Sequence, residues 1–199
     1  MRCNSRYYCS SCYTEVAAAM QDWLLFAYSL PAEPSRGRVA VWRRLKKIGA
    51  ASLLQSVWVL PARPEHQREF ELLLGEVQEL GGEALLFRAE GLSEAVEEKI
   101  VAAFAEARNL EYAEIADKCH DFFAELEHET ERENFTFAEV EENEEELEKL
   151  RSWLAKVVRR DFFGTPRRQE VEALLQRCAE RLKEFSDLVY TLNVGPEDK

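Results

Sequence analysis

The sequence lacks an apolar run long enough to cross a bilayer. The longest apolar windows near the N-terminus are interrupted by Gln21 and Asp22, and no stretch approaches the roughly 20 residues that a membrane-spanning helix needs. The 5 cysteines are an odd number, which argues against a framework of paired disulfides and favours a reducing compartment. We therefore expect a cytoplasmic protein that does not enter a membrane.

Patterns typical of catalysis and of metal binding are also missing. None of the 3 histidines stands in a recognisable setting with a matched nucleophile. Cys9 and Cys12 form one CxxC pair, whereas a structural zinc site needs four ligands. Glu125 and His128 form a single Glu-x-x-His spacing, of which bundle di-iron sites use two copies. We therefore expect no enzymatic activity, no bound metal and no other cofactor.

Acidic and basic residues are separated along the chain. Residues 1–68 carry 10 Arg and Lys against 4 Asp and Glu, residues 69–150 carry 6 against 26, and residues 151–199 carry 10 against 8. The net charge of -12 does not exclude an anionic partner, because binding responds to the local potential and the N-terminal third is basic. The apolar fraction of 46% is too high for disorder over most of the length.

The stretch from Trp23 to Pro61 predicts a strand, a helix and a second strand. The nearly continuous apolar run from Trp23 to Leu30 is typical of a central strand. The helix begins at Ser35, a plausible N-cap, and ends before Gly49, which suits a left-handed C-terminal cap. The second strand is Ser52 to Leu60, and a bend of this long strand into a hairpin is the alternative.

The first predicted helix has an apolar side and a basic side. At 100° per residue, Val41, Trp42 and Leu45 share the side that packs on the sheet. The other side is cationic and can release counterions by binding phosphate, since no acidic residue balances it between Ser35 and Gly49. The alternative is an ordinary solvated helix face. The candidate DNA-binding residues are Arg36, Arg38, Arg43, Arg44, Lys46 and Lys47.

The pattern of the first 91 residues predicts an α+β fold. A second helix opens at Pro64 and ends at Gly81, and Glu83 to Ala89 follows as a third strand. The order βαβαβ favours a small ferredoxin-like sheet with its helices on one face. The predicted division is 1–22 as a disordered or start-site extension ahead of a natural start near Met20, 23–91 as the ferredoxin-like domain, 92–193 as a helical subdomain and 194–199 as a tail.

The apolar period of residues 92–193 is helical throughout. It marks one helix around Val96 to Phe104 and a second from Tyr112 to Leu126. A third helix follows the predicted cap at Thr136, and a fourth follows Pro166. The last two are long enough to form an antiparallel helical hairpin.

The turn between the last two predicted helices concentrates arginines. Guanidinium groups and free helix amides together can bind a tetrahedral oxyanion. The alternative is structural, with Asp161 and nearby glutamates pairing with these arginines. The candidate oxyanion-binding residues are Arg159, Arg160, Arg167 and Arg168.

Three blocks of sequence carry a family resemblance. They are WLLFAYSLPAEPSRGRVAVWRRLKKIGAASLLQSVWVLP from Trp23, RNLEYAEI from Arg108 and LRSWLAKVVRRDFFG from Leu150. They resemble the N-terminal domain of the ChrB family of bacterial chromate resistance regulators. The resemblance implies a fold similar to that of phenylacetate-pathway repressors and of small CRISPR-associated nucleases. Those nucleases keep an acidic metal ligand just after the first strand, where this chain has Tyr28 to Pro31, so nuclease activity is not implied.

The resemblance and the basic helix together predict a DNA-binding transcriptional regulator that responds to chromate. Its expected partners are DNA and chromate or a similar oxyanion. The alternative is a non-catalytic adaptor that uses the helical hairpin to dock another protein. An open sheet also leaves edge strands at which a second copy of the chain can pair, so a homodimer is a further expectation.

Overall fold

The computed structural model of the protein describes residues 22–33 and 35–195. Residues 1–21 of the predicted N-terminal extension, which include Cys9 and Cys12, and residues 196–199 lie outside the described residues. None of the helices in the described ranges has the length and the low charge that crossing a membrane requires.

The strand that begins at Trp23 lies inside a four-stranded antiparallel sheet. The strands are β1 (Trp23–Ser29), β2 (Ala51–Leu54), β3 (Val57–Pro61) and β4 (Glu83–Ala89). Their order across the sheet is β2-β3-β1-β4, so β1 has a neighbour on both sides. Trp23, Leu24 and Phe26 of β1 are buried and Leu25 and Ala27 are half-buried, so apolar residues on both faces of the strand form the nearly continuous apolar run of the sequence.

The second predicted strand is a hairpin of two strands. Gln55 and Ser56 form the turn between β2 and β3, and the register is irregular between Ser52 and Leu54. The prediction of three strands in the order βαβαβ is therefore wrong, and its hairpin alternative is confirmed. Apolar residues stand on both sides of a turn of only two residues, so the apolar pattern does not mark the turn. Since β1 and β2 are both antiparallel to β3, they run parallel to each other with β3 between them.

Two helices pack on one face of this sheet. They are α1 (Ser35–Lys47) and α2 (Pro64–Glu79). The ring of Phe26 on β1 stacks on Phe70 of α2 with 5.1 Å between centroids. Phe26 and Trp58 are opposite each other in the β1–β3 ladder, and the ammonium group of α1's Lys46 lies over the Trp58 ring. Both helices therefore meet the same face of the sheet.

The remaining elements are three helices, α3 (Glu94–Glu131), α4 (Phe137–Val158) and α5 (Pro166–Val194). Sequence analysis divided the segment of α3 into two helices, and that prediction is wrong. No glycine or proline interrupts the 38 residues of α3. Near its middle the apolar stripe of the sequence is interrupted by Arg108, a charged residue whose side chain is 1% exposed.

The described residues form two compact units, of which the first ends at Glu106 and the second begins at Ala107. This boundary lies inside α3, whereas the sequence-based division before residue 92 stays a prediction. The core of the second unit is built from α3, α4 and α5, and it includes Cys119 and Cys178 as buried free thiols on the apolar faces where the sequence placed them. Thr136 caps α4 as predicted, since its hydroxyl accepts a hydrogen bond from the Glu139 amide at 3.3 Å.

A buried polar contact joins β1 to the first turn of α3. The Nε1 atom of Trp23 donates to the two carboxyl oxygens of Glu97 at 3.0 and 2.9 Å, and the Gly91 amide donates to the same group at 2.9 Å. A Cβ atom at position 91 would collide with the carboxyl group of Glu97, so a larger residue there would displace this side chain from its present position. The indole ring also stacks on Phe104 with 5.9 Å between centroids. This contact satisfies a carboxyl group that would be costly to bury alone.

We predict that Trp23→Phe lowers the free energy of unfolding by about 1–3 kcal/mol, because it removes a donor from a buried carboxyl group while keeping most of the aromatic packing. Urea titration followed by circular dichroism measures the change. The matched control is Trp42→Phe at a half-exposed position, which should change the free energy by less than about 0.5 kcal/mol. Equal effects of the two substitutions contradict the role of the Glu97 contact.

Candidate nucleic-acid interface

The six cations of α1 divide into exposed and half-buried groups. Arg36, Arg38, Arg43 and Lys47 are exposed, whereas Arg44 and Lys46 are half-buried. The first turn of the helix has no acidic residue, and none follows in the rest of its sequence. The helix therefore presents positive side chains to solvent along most of its length.

Arg44 is held by acids of the neighbouring helix. One of its terminal nitrogens donates to Glu76, and the other lies 3.5 Å from Glu69 Oε2, both on α2. The absence of acids within α1 is therefore partly compensated by α2. Sequence analysis counted acids only along α1 and missed these pairs, because they form between residues 25 and 32 positions apart.

The sheet-facing side of α1 differs from the prediction at Trp42. The buried residues are Gly37, Val41 and Leu45, which recur every four positions, whereas the Trp42 side chain is 48% exposed. The assignment of Trp42 to the core is therefore wrong. A step of one residue turns the helix by 100°, so Trp42 lies on the flank of a buried stripe that is centred on Val41.

Lys46 holds a position beside two indole rings. Its Nζ atom lies 6.0 Å from the ring centroid of Trp42 and 6.0 Å from that of Trp58. At this distance the ammonium group is attracted by the quadrupoles of both rings. Lys46 thus belongs to the basic face and lies beside two aromatic rings.

The candidate oxyanion residues meet protein groups in the turn between α4 and α5. Arg160 donates to Glu111 Oε2 at 2.8 Å, and Arg168 donates to Glu172 Oε1 at 2.8 Å. Arg167 donates to the Asn109 carbonyl at 3.3 Å. Arg159 is exposed. These contacts correspond to the structural alternative for this turn, and oxyanion binding stays a prediction.

Arg108 is the charged residue that sequence analysis missed. Its side chain is 1% exposed and donates to Glu111 Oε1 at 3.0 Å and to the Arg160 carbonyl at 3.2 Å. Glu111 thus binds Arg108 with one oxygen and Arg160 with the other. Burial lowers the pKa of Arg108, and the nearby Glu111 charge opposes that shift. The signal in the sequence was Arg108's position on the apolar stripe of α3.

Asp161 joins the same turn to α3 by accepting hydrogen bonds. Its Oδ2 atom accepts from the Tyr112 hydroxyl at 3.0 Å and from the Thr165 amide at 3.1 Å. Burial, and then the charge and hydrogen bond of Asp161, raise the pKa of Tyr112. Sequence analysis named Asp161 as a partner for the arginines, whereas its hydrogen bonds go to a tyrosine and to a backbone amide.

Within residues 22–33 and 35–195, no group of three or more His, Cys, Asp or Glu side chains is arranged to hold a metal ion. The predicted spacing of Glu125 and His128 is therefore not completed by further ligands in this part of the chain. What the described residues offer instead is a cationic helix face in the first unit and a network of arginine ion pairs in the second.

Comparisons with known proteins agree on one family. A family model described as "Protein ChrB, N-terminal" matches residues 38–195. A similar curated protein is Protein ChrB of Cupriavidus metallidurans, which is 29% identical over 92 residues. That alignment covers 46% of this chain and 28% of the relative, so the chain matches less than a third of that protein's length.

We predict that Glu111→Gln lowers the free energy of unfolding by about 3 kcal/mol, because it leaves the buried charge of Arg108 without its counterion. Denaturant titration provides the measurement. Glu114→Gln, one turn further along α3 at an exposed position, is the matched control and should change stability by less than about 0.5 kcal/mol. A loss at Glu111 no larger than the loss at Glu114 contradicts a stabilising role for the ion pair.

Proposed function

Because the chain belongs to the ChrB N-terminal family, we propose that it is a cytoplasmic, non-enzymatic regulator of chromate resistance that binds DNA. The single observation that carries DNA binding is the exposed cationic face of α1, which has no acid of its own. Each cation that replaces a counterion on a phosphate contributes affinity that does not depend on base sequence. We expect these contacts from the exposed cations and from the half-buried Lys46; the exposed ones are Arg36, Arg38, Arg43 and Lys47.

We further propose that the sheet with α1 and α2 is ferredoxin-like. The element order βαββαβ and the strand order β2-β3-β1-β4 support this assignment. In such a sheet each helix connects two parallel strands that have an antiparallel strand between them. The second unit would then contribute an antiparallel helical hairpin formed by α4 and α5, whose apolar faces share one core.

The acidic residues of the chain restrict how DNA can approach. Residues 69–150 carry 26 Asp and Glu against 6 Arg and Lys, and this charge repels phosphate. On α2 the nearest acids, Glu69 and Glu76, already pair with Arg44. We therefore expect DNA to meet α1 on the side away from Arg44.

Chromate binding is the second part of the proposal. Arg159 and Arg167 are the exposed arginines of the turn between α4 and α5, and a guanidinium fork can donate two parallel hydrogen bonds to a tetrahedral oxyanion. Arg160 and Arg168 are paired with Glu111 and Glu172 and would contribute charge rather than direct contacts. Binding at this turn would couple chromate to the helical unit.

We predict that the protein retards a duplex from the region upstream of its own gene in an electrophoretic shift assay. Arg43→Ala should weaken binding and lower the slope of log affinity against log salt by about 1, because one phosphate contact is lost. Arg44→Ala is the matched control at the next position, and its effect should be smaller because Arg44 already pairs with Glu76.

Chromate should change this retardation in the unmodified protein, and the change should disappear in the double variant Arg159→Ala/Arg167→Ala. Absent binding, or binding that does not respond to salt or to Arg43→Ala, contradicts the DNA-binding proposal. A chromate effect that survives in the double variant contradicts only the assignment of the oxyanion site.

A protein-interaction adaptor is the second candidate, and a specific observation favours it. Large apolar side chains near the end of α5 are between 39% and 58% exposed. Scattered exposed apolar residues are ordinary, but several on one helix end are typical of a docking surface. These residues are Leu188, Tyr190, Leu192 and Val194.

If the adaptor hypothesis is right, a protein partner co-purifies with the unmodified chain and is lost from Tyr190→Ser/Leu192→Ser, and DNA is not retarded. The control pair is Leu72→Ser and Leu110→Ser, two exposed leucines outside α5. Loss of the partner with the control pair as well indicates a general effect on solubility and contradicts docking through α5.

A further inference from the structure

Trp42 is an exposed aromatic residue in the middle of a cationic helix face. Its side chain is 48% exposed, whereas Trp23 and Trp58 of the same unit are 1% and 3% exposed. An indole left in water forgoes the hydrophobic stabilisation that the other two gain by burial. Tryptophan is among the residue types that contribute most when they become buried at an interface. Trp42 therefore has the setting of a contact residue.

The side chains around Trp42 indicate the charge of the partner that Trp42 would contact. Arg38 and Lys46 lie four residues before and after Trp42, so both are on its face of the helix. The Lys46 ammonium group is 6.0 Å from the Trp42 ring. Glu69 and Glu76 of α2 contact Arg44, which lies on the opposite flank of α1 from Trp42. The flank that carries Trp42 is therefore both positive and aromatic.

Nucleic acid is the partner that supplies both complementary groups. Phosphates neutralise the arginine and lysine side chains, and a base offers a flat π surface to an indole ring. Inside a duplex the base faces are covered by their neighbours, so an indole ring can stack only where a base is unpaired or at a strand end. An acidic protein surface would satisfy the cations, but it offers an indole a flat partner only where an aromatic side chain is exposed beside the acids, whereas every base of a single strand offers one.

We propose that Trp42 stacks on an unpaired base of DNA bound along α1, while Arg38 and Lys46 contact phosphates on either side of it. This inference rests on the proposed DNA-binding function and adds a base contact to the phosphate contacts. The binding surface then has two kinds of contact. The phosphate contacts of the cations weaken as the salt concentration rises, and the stacking contact of Trp42 does not.

The test uses a fluorescein-labelled single strand and the duplex of the same sequence, titrated with the full chain and followed by fluorescence anisotropy. Trp42→Ala should weaken binding to the single strand by about 5- to 150-fold, the range expected for loss of one base–aromatic stack, and should weaken binding to the duplex less. The slope of log affinity against log salt should stay unchanged in Trp42→Ala and fall by about 1 in Arg43→Ala. Trp42→Phe keeps a ring and should restore most of the affinity.

Intrinsic fluorescence gives an independent readout that does not depend on the alanine variant folding. The unlabelled single strand should quench the tryptophan emission of the unmodified protein, and Trp42→Phe should remove most of that quenching, because Trp23 and Trp58 are buried and the half-buried Trp153 packs against the core of the helical unit. Unchanged affinity in Trp42→Ala with weakened Arg43→Ala overturns the stacking proposal and leaves the proposed function intact. Equal losses on both forms of DNA, or a lower salt slope in Trp42→Ala, also overturn it. Failure of the unmodified protein to bind either form of DNA overturns both.

Discussion

The guanidinium group of Arg108 is the constraint on which the helical unit depends. A charge that is 1% exposed needs a counterion and hydrogen-bond acceptors, and here Glu111 and the carbonyl of Arg160 accept from its two terminal nitrogens, whereas its Nε atom is buried without a hydrogen-bond partner among the described residues. Glu111 in turn binds the side chain of Arg160, and Asp161 accepts from Tyr112. One buried cation thus fixes the turn after α4 against the middle of α3.

This network gives a physical meaning to two of the sequence blocks that carry the family resemblance. The block from Arg108 contributes Arg108, Glu111 and Tyr112, and the block from Leu150 contributes Arg160 and Asp161. Residues that are about 50 positions apart in the chain are therefore direct partners.

In the first unit the buried residues and the charged residues lie on different sides of a single helix, α1. Gly37, Val41 and Leu45 turn one side of α1 toward the sheet and α2, and the opposite side keeps exposed cations in water. Arg44 pairs with Glu69 and Glu76 of α2, and ion pairs of this kind at a surface contribute little to stability. The positive face and the helical network thus involve separate groups of residues.

The sequence by itself determined the strands β1 and β4, the bounds of α1 and α2, the left-handed Gly49 and the cap at Thr136, because apolar period, glycine and capping residues act over a few positions. It also determined the family. Only the tertiary structure decided that α3 is continuous through Arg108, that Trp42 is exposed and that Arg44 and Arg160 are paired. These features depend on contacts with residues 25 or more positions away in the chain. A pattern of neighbouring residues therefore cannot predict them.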